Sequence, residues 1–347
     1  MSERRAYLDV GVGETRGVIT LDGRPERLII VRDGDIAVQT LGAEAIGRVR
    51  KVERQLAIAF VDLGEGPEAV LNLRPETPRI GEGQALHVEV RTEARGGKGA
   101  QLRLVGEGQG APRLVTAAPT IEAELAAFPA VGAVTTGPKA RAMADAAEAE
   151  ALSAEFPLPG GGNLAIERTR ALTAIDVDVG ERAGAESKRV ARATNLAALG
   201  VAARVLRLKG EGGLVVFDLA GRGHDGPALL SAGRAAFGPD NPGVAFGPIS
   251  RFGTLEMTIP RRRRALAERL LDAGGQLSAL TLALRLIRDI EREALADPGA
   301  RLLARAAPDV AEAASPYLSV LKDRFGARLE LEPAPGRPRD SFEVSAR

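Results

Sequence analysis

The chain of 347 residues is long enough for two or three domains and a sizeable hydrophobic core. Its 47 Lys and Arg nearly cancel its 46 Asp and Glu, so the net charge points to no nucleic-acid partner, and such a site must come from local clusters. The absence of cysteine excludes disulfides and thiolate-bound zinc within one chain, and two histidines argue against a histidine-built zinc site. The N-terminus has no apolar stretch of signal-peptide length, and no long apolar run occurs. We therefore expect a soluble, cytoplasmic protein.

The first third of the chain predicts short β-strands. Residues 4–32 form β segments joined by a turn at Asp22-Gly23, and residues 37–106 contain a further series separated by Gly- and Pro-bearing turns. Short strands at this spacing are typical of a small β-barrel such as an OB-fold. Such barrels bind single-stranded nucleic acid, sugars or proteins, so the fold alone does not decide the function. The strands are EAIGRVRKVER, LAIAFVDLG, EAVLNL, QALHVEVRTEA and AQLRLVGEG.

The following region predicts a connector and then a strand–helix–strand unit. Residues 107–155 are rich in Pro and Ala, with helical segments near 120–127 and 139–155. The second half then gives NLAIERTRALTAIDVDV as strands, a helix, and GGLVVFDLAG as a strand. The continuous apolar run in the last strand predicts that both of its faces are covered. The apolar positions of the helix are spaced by three and four residues: Val190, Ala193, Ala197, Val201, Val205 and Leu208.

The C-terminal part predicts a helix and a small β-α-β-β unit. The amphipathic helix covers 276–296 and can pack on its own chain or on a second copy. The predicted fold class is α+β and multi-domain. The expected parts are an N-terminal β segment (1–36), an OB-fold domain (37–106), a connector (107–155), a catalytic domain (156–260), a helical arm (261–296) and a C-terminal subdomain (297–347).

Three acids follow the predicted strands of the strand–helix–strand unit. Asp176 and Asp218 fall near the carboxyl ends of two parallel strands, where α/β sheets bind their ligands, and Asp178 lies beside the first. Mg²⁺ prefers oxygen ligands and commonly takes one or two carboxylates, and it can promote displacement at phosphorus. The alternative, which periodicity alone favours, is that Asp176 and Asp178 are capping or loop acids paired with Arg170, Arg182 or Lys188.

Several segments in a shared order resemble one enzyme family. IERTRALTAIDVDVG, ATNLAALGVAARVLRLKGEGGLVVFDLAG and ISRFGTLEM resemble the catalytic core of the RNase E/RNase G endoribonucleases. IGRVRKVERQLAIAFVDLGEG and EARGGKGAQL resemble the RNA-binding barrel that precedes this core. The order and spacing agree over about 40–105 and 156–295.

The resemblance implies Mg²⁺-dependent cleavage of single-stranded RNA, with Mn²⁺ as a possible substitute, on a DNase-I-like domain. Asp176 and Asp218 match the family's two metal-binding aspartates, and Asp178, counted with them as catalytic, stands where the family usually has an asparagine that orients the first carboxylate. Gly221 replaces an acidic residue, and Asp225 is a poor substitute for it by spacing.

The resemblance also implies RNA contacts. Phe60 matches a base-stacking aromatic, Lys98 a basic RNA contact, and Arg251 an arginine of the pocket for the RNA 5′ end, whereas Val70 replaces a second stacking aromatic. Each has an alternative. Phe60 can fill the barrel core, Lys98 can be an exposed turn residue, and Arg251 can form an ion pair with Glu256.

Other basic residues near the acids have open alternatives too. His224 is a loop histidine or a general acid, and the run 261–264 is a solvated helix start or follows a phosphate backbone.

Two family features are missing. The cysteine pair of the zinc link has no counterpart, and the insertion carrying most of the 5′-phosphate sensor is reduced to the connector, where Thr135 and Thr136 remain. We therefore expect a short form that binds no zinc, as a monomer or a zinc-independent homodimer. The main alternative is an RNA-binding protein that keeps the fold but has lost efficient catalysis. A third alternative is a hydrolase of small phosphate esters, which the presence of a barrel makes less favourable.

Overall fold

The computed structural model describes residues 3–128, 132–181, 187–238 and 243–346. The chain begins with an antiparallel meander of three strands. Both residues of the Asp22-Gly23 turn have positive φ, 51° and 78°, as the primed turns of tight hairpins require. The predicted turn is thus confirmed. The strands are β1 (Arg4–Val10), β2 (Glu14–Leu21) and β3 (Arg24–Arg32).

The next strands close into the predicted OB-like barrel. The order around it is β4, β5, β6, β8, β7 and back to β4, with β6 and β8 as the parallel pair. Inward-facing residues such as Val49, Val61 and Val88 are almost fully buried, which follows from the alternation of side chains along each strand. The five strands are β4 (Glu44–Glu53), β5 (Ile58–Asp62), β6 (Ala69–Asn72), β7 (Ala85–Thr92) and β8 (Gln101–Glu107).

The connector adds elements to both neighbouring sheets. A short strand pairs with β4 on the barrel, and another pairs in parallel with β1, so that the N-terminal sheet has four strands. Its two helices cover this sheet, one on each face, through separate apolar clusters. These elements are β9 (Arg113–Thr116), α1 (Ile121–Ala126), β10 (Thr135–Thr136) and α2 (Pro138–Leu152).

A six-stranded mixed sheet follows, with the order β11-β12-β13-β14-β16-β15. The predicted strand–helix–strand unit is β13-α3-β14, and its strands are adjacent and parallel, as expected. The other pairs are antiparallel. The elements are β11 (Glu155–Pro157), β12 (Asn163–Arg168), β13 (Thr173–Asp178), α3 (Ser187–Lys209), β14 (Gly213–Asp218), α4 (Gly226–Phe237), β15 (Ala245–Ile249) and β16 (Thr254–Ile259).

Only one face of β14 is packed by helices. Val215 and Phe217 are fully buried with α3 and α4, whereas Leu214 on the opposite face is 38% exposed and Val216 is half-buried. The prediction that both faces are covered was therefore wrong. Apolar residues also suit a half-exposed pleated surface, so a short apolar run does not report the number of covering layers.

The predicted apolar face of α3 is correct only in its C-terminal half. Val201 and Val205 are buried, but Ala193 is exposed, and the polar residues Thr194 and Asn195 are buried in its place. Near Asn195 the buried face of the helix therefore differs from the predicted face. Asn195 lies on the buried side, where it hydrogen-bonds the backbone after β14.

The C-terminal part forms the predicted β-α-β-β unit, a three-stranded sheet in the order β18-β17-β19. The amphipathic helix α6 packs on this unit within its own chain and buries Leu284, Ile287 and Ile290. The elements are α5 (Leu266–Leu270), α6 (Ala279–Ala296), β17 (Leu302–Ala306), α7 (Pro308–Phe325), β18 (Leu329–Pro333) and β19 (Glu343–Ala346).

Buried ion pairs connect the N-terminal sheet to α2 and α6. Arg16, which is 1% exposed, lies 2.6 Å from Asp9 and 3.2 Å from Glu148 of α2. Arg288 of α6 lies 2.6 Å from Glu14 of β2. Burying charges is tolerable only when they are paired, so these contacts fix how the elements meet.

In the described ranges no helix has the length and apolar character needed to cross a lipid bilayer.

Candidate active site

Two of the predicted acids face each other across neighbouring parallel strands. Asp176 of β13 is in register with Asp218 of β14, and adjacent strands lie about 4.8 Å apart. Both side chains are exposed, because the strands alternate strictly and the buried residues Ile175 and Phe217 point to the helices. The pair therefore lies on the open face of the sheet, at the carboxyl ends of both strands.

The carboxylates of Asp176 and Asp218 are free to bind a ligand. Within the described part of the chain, neither forms an ion pair nor accepts a hydrogen bond. Asp178 differs, because its Oδ1 accepts a hydrogen bond from the Gly180 N–H at 2.9 Å. The alternative that these acids are loop acids thus applies to Asp178. The proposed partners Arg170 and Lys188 make no ion pair with the three acids, and Arg182 lies outside the described residues.

The donor set suits a divalent cation bound by few protein ligands. Among the described residues no group of three or more His, Asp or Glu is arranged to bind a metal. Mg²⁺ commonly takes one or two carboxylates and completes its shell with water and substrate phosphate. The Asp176–Asp218 pair meets that requirement and leaves the remaining positions to the substrate.

A buried asparagine positions the chain just after Asp218. Asn195 of α3, 1% exposed, donates from Nδ2 to the Ala220 carbonyl and accepts the Ala220 N–H at Oδ1, both at 3.0 Å. Leu219 N–H donates to the Gly253 carbonyl at 3.3 Å. Sequence reasoning missed Asn195. The available signal was a polar residue within an otherwise apolar helix face.

The loop after Asp218 requires a glycine at position 221. Gly221 has φ +83°, and a Cβ built there lies 2.9 Å from the Cβ of Ala191. An acidic side chain at this position would therefore be strained.

Asp225 does not take the place of that missing acid. Its carboxylate accepts the Ala228 N–H at 3.1 Å as the N-cap of α4, and it pairs with Arg192 at 3.1 Å. These two contacts lower the pKa of Asp225. The residue is thus a helix cap and does not add a third carboxylate to the Asp176–Asp218 pair.

A groove of about 840 Å³ lies between this loop and the β15–β16 turn. Arg251 lines it, forms no ion pair with Glu256, and stacks on Phe252 with its guanidinium carbon 4.6 Å from the ring centroid. His224 also lines the groove, and its Nε2 is buried without a hydrogen-bond partner among the described residues. Thr135 belongs to another sheet, beside β1, so the structure does not bring it together with Arg251.

Phe60 lies on the outer surface of the barrel. It alternates with the buried residues Ala59 and Val61 and is absent from the apolar core. Its neighbours in register are Lys51 on β4 and Val70 on β6. Phe60 is therefore not part of the barrel core, and its half-buried ring lies at the outer surface.

Lys98 is an exposed residue of a tight turn, in which Arg95 and Lys98 exchange backbone hydrogen bonds of 2.9 and 2.8 Å. The turn lines one side of a second groove, of about 610 Å³. Arg168 at the end of β12 and Arg264 before α5 line the other side. Glu268, which pairs with Arg168, and Asp272 also line this groove, so its charge is only partly positive. Lys98 thus faces a groove of mixed charge, with more basic than acidic residues, between the barrel and the six-stranded sheet.

The arginine run 261–264 connects the barrel to the sheet. Arg263 forms ion pairs with Glu93 of the barrel, at 3.6 Å, and with Glu124 of α1. Arg261 Nε donates to the Gly212 carbonyl at 2.7 Å. Arg261 and Arg263 thus have structural partners. From the sequence, only a solvated helix start or contacts to a phosphate backbone were expected for this run.

Replacing Phe60 with Ala is expected to weaken binding of single-stranded RNA about tenfold, within the ~1–3 kcal/mol typical of one base–aromatic stack. The melting temperature should stay unchanged, because the ring contributes nothing to the core. Fluorescence anisotropy with a labelled oligonucleotide would measure the affinity. Val70→Ala, beside Phe60 on the same surface, is the matched control and should bind almost as the parent does. Unchanged affinity in Phe60→Ala would contradict the stacking role.

Comparison with known proteins gives a partial match. Residues 140–264 match the Ribonuclease E/G family. Ribonuclease E of Haemophilus influenzae is 36% identical over 155 residues, which are 42% of this chain and 17% of that protein. Ribonuclease E of Escherichia coli is 36% identical over 155 residues, 42% of this chain and 15% of that protein. Ribonuclease G of Salmonella typhimurium is 26% identical over 208 residues, 56% of this chain and 42% of that protein.

The chain thus spans less than half the length of these curated relatives. The family match includes the three acids and Arg251. It begins only after the barrel, so Phe60 and Lys98 lie outside it.

Proposed function

We propose that this chain, whose residues 140–264 match the Ribonuclease E/G family, is an endoribonuclease that cleaves single-stranded RNA with Mg²⁺ or Mn²⁺. The observation that carries the proposal is the pair Asp176 and Asp218, in register on neighbouring strands and without a hydrogen-bond or ion-pair partner among the residues that the structure describes. An exposed pair of unpaired carboxylates repels itself unless a cation is bound between them. The open face of the sheet gives an extended RNA strand access to this pair.

Each residue around the pair has a separate role in the proposal. Asp176 and Asp218 would bind the cation, which supplies charge neutralisation for an in-line displacement at phosphorus. Asp178 closes the turn after β13 through Gly180 and orients the strand end. Asn195 fixes the backbone after Asp218 and thereby the direction of its side chain.

We infer that residues 156–260 form a DNase-I-like catalytic domain. A mixed six-stranded sheet with helices on one face and the acids on the other supports this inference. The OB-like barrel would bind the strand through Phe60 on its outer surface. The strand would then pass the groove beside Lys98, whose exposed charge attracts the phosphate backbone, whereas Arg168 is paired with Glu211 and Glu268.

The proposed form is a monomer or a homodimer without zinc. The chain has no cysteine, so a thiolate-bound zinc between subunits is unavailable. The apolar face of α6 is buried within its own chain, which leaves little of it for a second copy and favours the monomer.

The proposal is tested by incubating the purified chain with an end-labelled, A/U-rich single strand. We expect internal cleavage with Mg²⁺, none with EDTA, and recovery when Mg²⁺ or Mn²⁺ is added back. The same sequence annealed to its complement is the control and should be cleaved much more slowly. Cleavage that continues in EDTA would refute the metal-dependent mechanism. Binding without cleavage in Mg²⁺ would instead identify an RNA-binding protein that has lost catalysis.

A further inference from the structure

Phe252 is the most exposed large apolar side chain in the described ranges, with 77% of its surface accessible. It lies in the turn between β15 and β16, which is well ordered by hydrogen bonds. Ser250 N–H donates to the Thr254 carbonyl at 2.9 Å, and the two hydroxyls lie 2.7 Å apart. A single exposed apolar side chain is ordinary on a protein surface, so the significance of Phe252 depends on which groups lie beside it.

The ring lies close to the carboxylate pair. Thr254, two residues after Phe252, is in register with Asp218, and the Gly253 carbonyl accepts the Leu219 N–H at 3.3 Å. Phe252 therefore lies at the sheet edge that carries both acids. It lines the groove of about 840 Å³ described above, opposite Arg222 and His224.

The chemistry of this groove suits a nucleotide. The Arg251 guanidinium lies over the Phe252 ring and places a positive charge beside it. The ring still has 77% of its surface accessible, which leaves room for a planar base. The groove shares Arg222 and His224 with a second hollow of about 270 Å³, which Lys188 also lines. Lys188 and Arg222 form no ion pair within the described part of the chain, so their charges remain available to phosphates.

We propose that Phe252, with Arg251 beside it, is a stacking platform for one unpaired base of the RNA next to the phosphate that is cleaved. The inference rests on the proposed function and adds to it a base-binding position in the catalytic domain, separate from the barrel. Stacking accepts every base, because each base has a π face, so the platform selects unpaired strands without selecting a sequence. A base in a duplex keeps both faces stacked and cannot use it.

The test compares Phe252→Ala and Phe252→Tyr by oligonucleotide binding, both in an Asp218→Asn background so that the strand stays intact. We expect Phe252→Ala to bind a single strand about tenfold more weakly, or ~1.4 kcal/mol, and Phe252→Tyr to bind normally. Val320→Ala removes another exposed apolar side chain, 52% accessible on α7, and should change nothing. Equal binding by Phe252→Ala and its parent would overturn the proposal.

Abasic substitution locates the base and separates stacking from loss of fold. One abasic position should weaken binding to the parent about tenfold and have no further effect in Phe252→Ala. Equal losses at every position in both proteins would overturn the platform. If the chain with Asp218 intact cleaves no RNA while binding still depends on Phe252, the platform is supported and the nuclease proposal is refuted. Failure of the parent to bind any single strand would overturn both.

Discussion

Asp218→Asn is expected to reduce the rate of RNA cleavage by at least about 100-fold, equivalent to ~2.7 kcal/mol in the transition state. The substitution keeps the shape of the side chain but removes one of the two charges that would bind the cation. Asp176→Asn should act similarly, because the two residues are in register and would share the proposed cation. Cleavage rates measured at the Mg²⁺ concentration that saturates the parent would give the loss. Raising the Mg²⁺ concentration above that value should recover part of it in the variant, because the variant binds the cation more weakly.

The matched control is Asp178→Asn, on the same strand and the same face as Asp176. Its oxygen accepts a hydrogen bond from Gly180, and the amide oxygen of asparagine can accept the same bond. We therefore expect near-parental or higher activity. All three acids are exposed, so unfolding of the three variants should differ little from the parent. Parental rates in Asp176→Asn or Asp218→Asn would contradict the mechanism, whereas loss of cleavage in Asp178→Asn would make that residue a required ligand.

The position of the acid pair could be predicted because it depends on local signals. A strand, a helix and a second strand of suitable spacing give adjacent parallel strands, and acids at equivalent ends then meet. The barrel was predictable for a similar reason, since glycine- and proline-bearing turns divide short strands at regular intervals. Both conclusions use only the order of the elements along the chain.

The covering of each face could not be predicted in the same way. The run LVVF has the same sequence whether one or two helical layers pack on it, and here Leu214 remains 38% exposed. The buried face of α3 was mispredicted near Asn195 because its partner, the backbone of Ala220, lies 25 residues away and is brought close only by the fold. Long-range partners of polar groups leave no periodic signal.

The exposed position of Phe252 could not be predicted from the sequence for a related reason. In the segment ISRFG the family resemblance drew attention to Arg251, while the exposure of Phe252 is set by the Ser250–Thr254 turn. An isolated phenylalanine between a strand and a turn is more often buried than exposed. Its accessibility, and its closeness to Asp218, become evident only when the two loops are seen to line one groove.

Replacing Arg16 with Met should destabilise the protein by about 3–5 kcal/mol, the usual cost of removing one member of a buried ion pair. Asp9 and Glu148, 4% and 2% exposed, would lose this partner and keep a buried charge. Arg141 beside Asp9 and Arg285 beside Glu148 remain, so the expected loss lies at the lower end of this range. Urea denaturation at pH 7 would measure the loss. The control is Arg305→Met, whose ion pair with Glu332 is about half exposed and should contribute at most ~1 kcal/mol. A loss in Arg16→Met no larger than in this control would contradict the prediction.

The same network predicts how stability changes with pH. Burial alone would raise the pKa of Glu148, but the nearby arginines Arg288, Arg285 and Arg16 outweigh it and lower that pKa. A carboxylate with a lowered pKa in the folded state stabilises the protein above its unfolded pKa of about 4.3 and loses that contribution as the pH falls through the folded pKa. The parent should therefore lose stability below about pH 4.3. In Arg16→Met the part of this decline that comes from Glu148 should be smaller, because the folded-state pKa of Glu148 then lies closer to its unfolded pKa. Free energies of unfolding measured between pH 3 and pH 7 would show the smaller decline, and superimposable pH profiles would show that Arg16 does not act through this carboxylate.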